Sequence, residues 1–292
     1  MHNLSLVVFA NFRIDNKERF LRMQNSFLSF QDISAKKWVV NIRGEYKQES
    51  FKFLNKYLKG KLCFYELESN KGWFHDSKTM LEAIDSDFVI VWIEDHINLV
   101  DVSKYDEILY EMDQNNCDHL AYTWWHDISL KKFDSLTKKE SKNLSFYKMN
   151  EGNIRIVEDN MKRFFYIISL ASIMSSGLFR KIITSNHPFL KRWPKGLPFD
   201  FEKRSTDIEF LPFIHAVPKI ELFASIDDDH GSSGYSLISR GLYPDRVTRK
   251  NLFRLERENI NFSFLAKILP VRIYKFLSIL YNILKRIKYT LS

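Results

Sequence analysis

One apolar run in this chain ends abruptly in three side chains that can bind a metal. Residues 88–93 are all aromatic or aliphatic, and Glu94, Asp95 and His96 follow them directly. A run of this length fits a buried strand, and an open α/β sheet presents ligand sites at the carboxyl ends of its strands. The pattern therefore predicts a functional site at residues 94–96. An ordinary polar turn after a strand is the alternative.

The first hundred residues alternate between strand-like and helix-like segments. The predicted strands are 4–10, 37–43 and 61–67, and the predicted helices are 15–30, 49–58 and 76–84. Asp15, with Glu18 three residues later, is the expected N-cap of the first helix. Strands that alternate with helices of this length indicate βαβ crossovers. We therefore expect an α/β fold with a mostly parallel central sheet flanked by helices.

Composition narrows the class of protein and its compartment. A chain of 292 residues with 45% hydrophobic content can bury one large core or two small ones. Cys63 and Cys117 are its two cysteines, which excludes a disulfide framework and favours the cytoplasm. The apolar start of the chain lacks a basic segment and is expected to form a strand rather than a signal peptide. The formal net charge of +8 favours an anionic partner, whether nucleic acid, nucleotide or membrane surface.

The C-terminal segment is both apolar and basic. After Pro270, apolar residues recur at helical spacing, and Lys275, Lys285 and Arg286 lie among them. This pattern is typical of an interfacial helix whose cations meet anionic headgroups, and its charges are too frequent for a membrane span. We expect residues 251–292 to form a basic amphipathic helical tail that holds the protein at the inner face of the cell membrane. A helix docked on its own domain, or on a second subunit of a homo-oligomer, is the alternative.

The common nucleotide-binding signatures are absent from the sequence. It contains neither Gly-x-Gly-x-x-Gly after the first strand nor Gly-x-x-x-x-Gly-Lys-Ser/Thr, which disfavours dinucleotide dehydrogenases and P-loop NTPases. The first strand instead leads into residues 10–16, whose main-chain and side-chain groups can contact a base and a ribose. A polar loop with a helix cap is the alternative for each of these residues.

The order of segments resembles the nucleotide-sugar half of a GT-A glycosyltransferase, similar to the family 2-like bacterial enzymes of surface-polysaccharide assembly. The resemblance rests on VVFAN at 7–11 followed by a helix, and on NKGW at 70–73 leading a helix into FVIVWIEDH at 88–96. It implies a GT-A-like catalytic domain at 1–250, with a donor half at about 1–100 and an acceptor half at about 101–250. The donor-binding residues that it implies are Ala10, Asn11, Arg13, Arg43, Lys71, Glu94 and Asp95.

The resemblance also implies a metal ion. In the resembling enzymes the strand ends in an Asp-x-Asp motif whose carboxylates hold Mn²⁺ or Mg²⁺ against the donor diphosphate. Here Glu94 and His96 stand at the two aspartate positions, with Asp95 between them. Imidazole binds Mn²⁺ better than Mg²⁺, so Mn²⁺ is the favoured cofactor. A His after the last strand of the catalytic domain can complete the metal shell in that family, and His230 matches this place.

The departing nucleoside diphosphate needs positive charge near it as the glycosidic bond breaks. Either a divalent cation or fixed cationic side chains can supply this charge. Arg240 and Arg246, which follow the Asp-rich segment 224–235, are candidate phosphate contacts.

A second acidic segment offers candidates for the general base. Residues 198–212 contain Glu202, Asp207 and Glu209, and an inverting transferase needs one carboxylate to take the proton from the acceptor hydroxyl. Asp207 and Glu209 rank above Glu202. If Thr206 caps a helix, Asp207 and Glu209 lie in its first turn, where the helix dipole favours anions, so a structural role is the alternative.

These features predict a glycosyltransferase that moves a sugar from a nucleotide-sugar donor to a glycan or lipid-linked acceptor, with inversion. A catalytically inactive scaffold of the same fold and a basic nucleic-acid-binding protein are the alternatives. The sequence contains no recognised nucleic-acid-binding motif, so we expect no nucleic-acid partner.

Overall fold

A computed structural model describes residues 4–68, 73–121, 131–161, 165–168, 171–184, 203–204, 211–227 and 236–246. The helices within these ranges are α1 (Lys17–Phe30), α2 (Lys47–Leu58), α3 (Trp73–Met80), α4 (Lys104–Gln114), α5 (Glu151–Met161) and α6 (Ser176–Thr184). The first strands are β1 (Leu6–Arg13), β2 (Lys37–Arg43), β3 (Leu62–Tyr65), β4 (Phe88–Val91), β5 (His96–Asn98) and β6 (His119–Ala121). The later strands are β7 (Lys138–Glu140), β8 (Leu144–Met149), β9 (Tyr166–Ile168), β10 (Ser172–Ser175), β11 (Lys203–Arg204), β12 (Phe213–Pro218) and β13 (Phe223–Ser225).

Nine of these strands form one sheet in the order β3-β2-β1-β4-β10-β6-β12-β8-β7. β1 pairs in parallel with β2 and β4, and β2 pairs in parallel with β3. Within this sheet, β10 and β8 run antiparallel to the other seven strands. The predicted α/β fold with a mostly parallel central sheet flanked by helices is therefore confirmed.

Both faces of the sheet are covered, because successive side chains of a strand point to opposite sides. On β1, Val8 and Ala10 belong to a core that contains Phe27 of α1. Val7 and Phe9 belong to a second core on the other face, which contains residues of α3 and α6. The near-continuous apolar sequence of β1 follows from this double burial.

The predicted elements of the donor half are present, with differences at their ends. The predicted strand 37–43 coincides with β2. The N-cap of α1, however, is Asn16, whose side chain accepts a hydrogen bond from the backbone N–H of Arg19 at 2.9 Å. The prediction of Asp15 as the cap was wrong because the Asp15 carboxylate accepts a hydrogen bond from Arg13 Nε at 2.6 Å instead.

The tail predicted at residues 251–292 lies outside the described residues, and its amphipathic helix stays a prediction. Within the described part of the chain, no helix is both long enough and apolar enough to cross a membrane.

Candidate functional site

The candidate site lies where the strand order of the sheet reverses. From β1 the chain passes to β2 and then β3 on one side, whereas β4 lies on the other side of β1. The carboxyl ends of β1 and β4 are therefore neighbours at a topological switch point, which is where open α/β sheets bind ligands. Residues 94–96 follow β4 at this edge, and the start of α1 follows β1. The structure thus brings α1 against the loop that the sequence singles out.

The loop at 94–96 is anchored from beneath by Ser26 of α1. Ser26 is fully buried, at 0% exposure, and its Oγ accepts a hydrogen bond from Trp92 Nε1 at 2.8 Å. The same hydroxyl donates to the carbonyl oxygen of His96 and lies 3.3 Å from that of Ile93. The loop continues into β5, which forms an antiparallel pair with β13. Helix α1 and β13 together fix the loop backbone.

Glu94 is a buried carboxylate that faces a cation of α1. Its side chain is 8% exposed, and Arg19 Nη1 lies 2.5 Å from Glu94 Oε1. Burial raises the pKa of Glu94 to about 7; the Arg19 charge opposes this shift, and the neighbouring Asp95 carboxylate adds to it. Glu94 is thus an acid whose ionisation depends on its positive neighbours.

Asp95 and His96 form a pair beside Glu94. His96 Nδ1 and Asp95 Oδ1 are 2.8 Å apart. Burial by itself would raise the pKa of Asp95, but the hydrogen bond with His96 and the charges of His96, Arg19 and Arg22 outweigh it and lower this pKa to about 2. His96 is 3% exposed, and its Nε2 has no hydrogen-bond partner within the part of the chain that the structure describes. The carboxylate therefore orients the imidazole and leaves Nε2 open.

Arg22 connects α1 to the segments that follow β13. Its Nε donates to Glu18 Oε1 at 3.1 Å, and its Nη1 donates to Asp227 Oδ2 at 3.4 Å. Its Nη2 is buried and has no hydrogen-bond partner in the described ranges. The predicted phosphate contact Arg246 reaches the same place, because its Nε donates to Glu18 Oε2 at 3.1 Å. Arg22 and Arg246 thus share the Glu18 carboxylate.

The second predicted phosphate contact is engaged differently. Arg240 Nη1 and Nη2 donate to the two carboxylate oxygens of Glu221 at 2.6 and 3.0 Å.

Two predicted donor-binding residues, Ala10 and Asn11, lie deep in β1. Ala10 is 0% exposed and Asn11 is 5% exposed. Asn11 Nδ2 donates to Ser77 Oγ at 2.9 Å, and Asn11 Oδ1 accepts from Asn41 Nδ2 at 3.0 Å. The Asn11 side chain therefore joins β1 to β2 and α3, and its contact with a donor stays a prediction.

The predicted donor-binding residues Arg13 and Arg43 are paired in register at the ends of β1 and β2. Arg13 donates to Asp15 and to Glu68, each at 2.6 Å. Arg43 is 7% exposed. Both lie at the same edge of the sheet as residues 94–96, with Arg43 one strand farther away. The remaining predicted site residues lie outside the described residues: Lys71, Glu202, Asp207, Glu209 and His230.

Sequence reasoning missed the polar face of α1. Arg19, Arg22 and Ser26 recur at spacings of three and four residues and so lie on one side of the helix. Polar residues at such spacing, on a helix that must also pack against a sheet, were the available signal. The sequence alone does not reveal that this face turns toward residues 94–96.

The described contacts do not fit a divalent-cation shell. Within the ranges that the structure covers, no three His, Cys, Asp or Glu side chains cluster as a metal site requires. Glu94 faces Arg19, and Asp95 faces Nδ1 of His96. The predicted fourth ligand, His230, lies outside these ranges, so the Mn²⁺ assignment stays a prediction.

No protein-family model matches the chain, and no curated protein matches it either. Among solved structures, the chain is similar to S. aureus TarS with a TM-score of 0.44 and 14% identity, over 76% of this chain and 36% of that one. The chain thus spans only about a third of that TarS chain. TarS residues 1–349 in complex with UDP-GlcNAc give a TM-score of 0.43 at 12% identity, over 88% of this chain and 67% of that one. A UDP-glucose pyrophosphorylase complexed with UDP-glucose gives a TM-score of 0.43 at 15% identity, over 82% of this chain and 98% of that one.

Proposed function

We propose that this protein is a glycosyltransferase that moves a sugar from a nucleotide-sugar donor to a glycan or lipid-linked acceptor. The observation that carries the proposal is the concentration of buried charge at the switch point between β1 and β4. Arg19, Arg22 and Glu94 are there at 14%, 2% and 8% side-chain exposure. Buried charges are costly to a fold unless they are paired, and their concentration at the carboxyl ends of parallel strands is typical of a ligand or catalytic site.

The chemistry of transfer matches this arrangement. The bond between the anomeric carbon and the diphosphate oxygen breaks, and its electron pair leaves with the nucleoside diphosphate. The acceptor hydroxyl forms the new bond to the anomeric carbon and gives its proton to a carboxylate base. Arg19 and Arg22 are the cations of α1 that would face the departing charge. Asp207, Glu209 and Glu202 are our proposed bases.

We also propose that the protein acts at the inner face of the cell membrane. The support is the basic amphipathic pattern of residues 251–292, which suits an anionic lipid surface. A lipid-linked acceptor is held at such a surface.

A thermal-shift panel with UDP, GDP, CDP, ADP and CMP, each with and without Mn²⁺, tests the proposed donor class. A ligand at a hundred times its Kd stabilises the native state by about 2.7 kcal/mol, which raises the Tm of a chain of 292 residues by roughly 4 °C. We expect one nucleoside diphosphate to give this shift and the others to give much less.

The control variant is Asp85→Asn. Asp85 forms an exposed ion pair with Lys36; the Asp85 side chain is 79% exposed and that of Lys36 is 51% exposed. Asp85 precedes β4, so it lies at the opposite end of the strands from the site. This variant should show the same ligand shift as the natural chain. A shift with CMP alone would indicate a CMP-sugar donor, whereas no shift with any of the five nucleotides would refute the proposed function.

A further inference from the structure

The carboxylates of the predicted metal set are already engaged by nitrogen atoms of the protein. Arg19 Nη1 lies 2.5 Å from Glu94 Oε1, and His96 Nδ1 lies 2.8 Å from Asp95 Oδ1. A divalent cation at Glu94 would lie next to the Arg19 guanidinium, and two positive groups at that separation repel each other. Mn²⁺ and Mg²⁺ also need several oxygen ligands around one point, and the described residues do not bring three ligands together.

Helix α1 with its cap, and the loop at 94–96, carry three buried nitrogen atoms that are open to a further hydrogen bond. Among the described residues, Asn16 Nδ2, Arg22 Nη2 and His96 Nε2 are buried nitrogens without a hydrogen-bond partner. The three residues are 8%, 1% and 3% exposed. A buried polar atom without a partner is unfavourable, so each of these atoms marks a position that a ligand group or a water molecule completes.

Two of these open atoms belong to the first two turns of α1 and its cap. Asn16 is the N-cap of α1, and Arg19 and Arg22 follow at intervals of three residues, so each lies about one turn after the one before it. An arginine guanidinium and an amide N–H suit the oxygen atoms of a phosphate. Because His96 Nδ1 lies 2.8 Å from the Asp95 carboxylate, Nε2 is the ring nitrogen that can form a hydrogen bond with a hydroxyl group, which both donates and accepts. The open atoms therefore match a diphosphate with a sugar hydroxyl beside it.

We infer that α1 binds the donor diphosphate through Arg22 and Asn16, and that Glu94 and Asp95 are positioning residues for Arg19 and His96 rather than ligands of a divalent cation. The inference rests on the proposed function and deepens it, because it makes donor binding independent of metal. Glu94 holds the Arg19 guanidinium toward the site, and Asp95 holds the imidazole of His96.

Calorimetric titration of the full chain with UDP, GDP, CDP and ADP, in excess EDTA and again in Mn²⁺, tests the inference. The Kd of the diphosphate that binds should agree between the two buffers to within about threefold. Arg22→Lys keeps the charge but loses the forked guanidinium, so its Kd should rise about tenfold or more in both buffers. Glu94→Gln keeps an oxygen that accepts from Arg19 but loses the negative charge that holds the guanidinium. The factor by which its Kd rises should be the same in EDTA as in Mn²⁺.

Asp85→Asn is the matched control, and its Kd should equal that of the natural chain. A far-ultraviolet circular dichroism melt establishes that each variant is folded before titration. Binding in Mn²⁺ that EDTA abolishes, and that Glu94→Gln removes, would overturn the inference while leaving the proposed function intact. A folded Arg22→Lys variant with the natural Kd would also overturn it. Failure of every nucleotide to bind in either buffer would refute the proposed function, and the inference with it.

Discussion

Replacing Ser26 with alanine tests whether α1 holds the loop at 94–96 in place. In the natural chain the Ser26 hydroxyl accepts from Trp92 Nε1 at 2.8 Å and donates to the carbonyl oxygen of His96. Both Ser26 and Trp92 are buried, at 0% and 2% exposure. Alanine removes the hydroxyl without adding volume, so no new contact replaces it.

The expected loss of stability follows from the groups left behind. The indole N–H of Trp92 becomes a buried donor without its partner, which costs about 1–3 kcal/mol, and the His96 carbonyl loses a bond worth about 1 kcal/mol. We therefore expect Ser26→Ala to lower the free energy of unfolding by roughly 2–4 kcal/mol. Urea denaturation followed by circular dichroism measures this change, provided that the m-value is unaltered.

A double-mutant cycle with Trp92→Phe separates the hydrogen bond from other effects. Phenylalanine has no N–H, so the unsatisfied donor disappears in the double variant. Ser26→Ala should then cost about 1–2 kcal/mol less in the Trp92→Phe background than in the natural chain. A loss below about 0.5 kcal/mol for Ser26→Ala, or additive losses in the cycle, would refute this account of how the loop is held.

Three further predictions concern the sheet, the base and the tail. His215 Nδ1 lies 3.0 Å from His119 Nδ1, and burial lowers the pKa of His215 well below its usual value, with the charge of His119 acting in the same direction. At acid pH the unfolded chain therefore binds more protons than the folded one, and the free energy of unfolding should fall by up to about 1.4 kcal/mol per pH unit below about pH 6.5. His215→Gln should flatten this pH dependence, measured by urea denaturation at several pH values, and an unchanged slope would contradict the role of His215. Asp207→Asn should leave the Kd for the nucleotide unchanged but lower sugar transfer at least about a hundredfold, and full transfer activity would remove Asp207 as the base. Deletion of residues 263–292 should reduce sedimentation with anionic vesicles but not with neutral ones, whereas equal sedimentation would favour a packing role for the tail.

The architecture of the donor half was predictable because it depends on local patterns. The strand predicted at 37–43 coincides with β2, whose apolar residues pack on both faces of the sheet. The placement of residues 94–96 at the sheet edge was predictable for the same reason, since a buried strand that ends in charged residues delivers them there. In both cases the information lies within about ten consecutive residues.

The contacts of the site were not predictable because they join distant segments. Arg19 and Glu94 are separated by 75 residues, and Arg22 and Asp227 by 205. Which face of α1 turns toward the loop is decided by the packing of Phe27 and its neighbours in the core, not by the local sequence. Asn11 shows the same limit. The sequence does not reveal that the side chain of Asn11 bonds to Ser77 of α3, or that Trp73 Nε1 donates to the Asn11 carbonyl oxygen at 2.5 Å.

The distribution of ion pairs separates function from stability in this fold. In the Arg19–Glu94 pair the side chains are 14% and 8% exposed. In the Arg22–Glu18 pair they are 2% and 5% exposed. Several described pairs far from the switch point are exposed, such as Lys138–Glu140 at 54% and 47%. A buried ion pair gives little net stability, because the desolvation of two charges offsets their attraction, and apolar residues of similar volume often do as well. Stability therefore gives no reason for α1 to bury charges beside β4 when apolar residues fill the rest of its packed face. Binding of a charged ligand gives such a reason, because a site of preorganised charges interacts with an anion more strongly than water does.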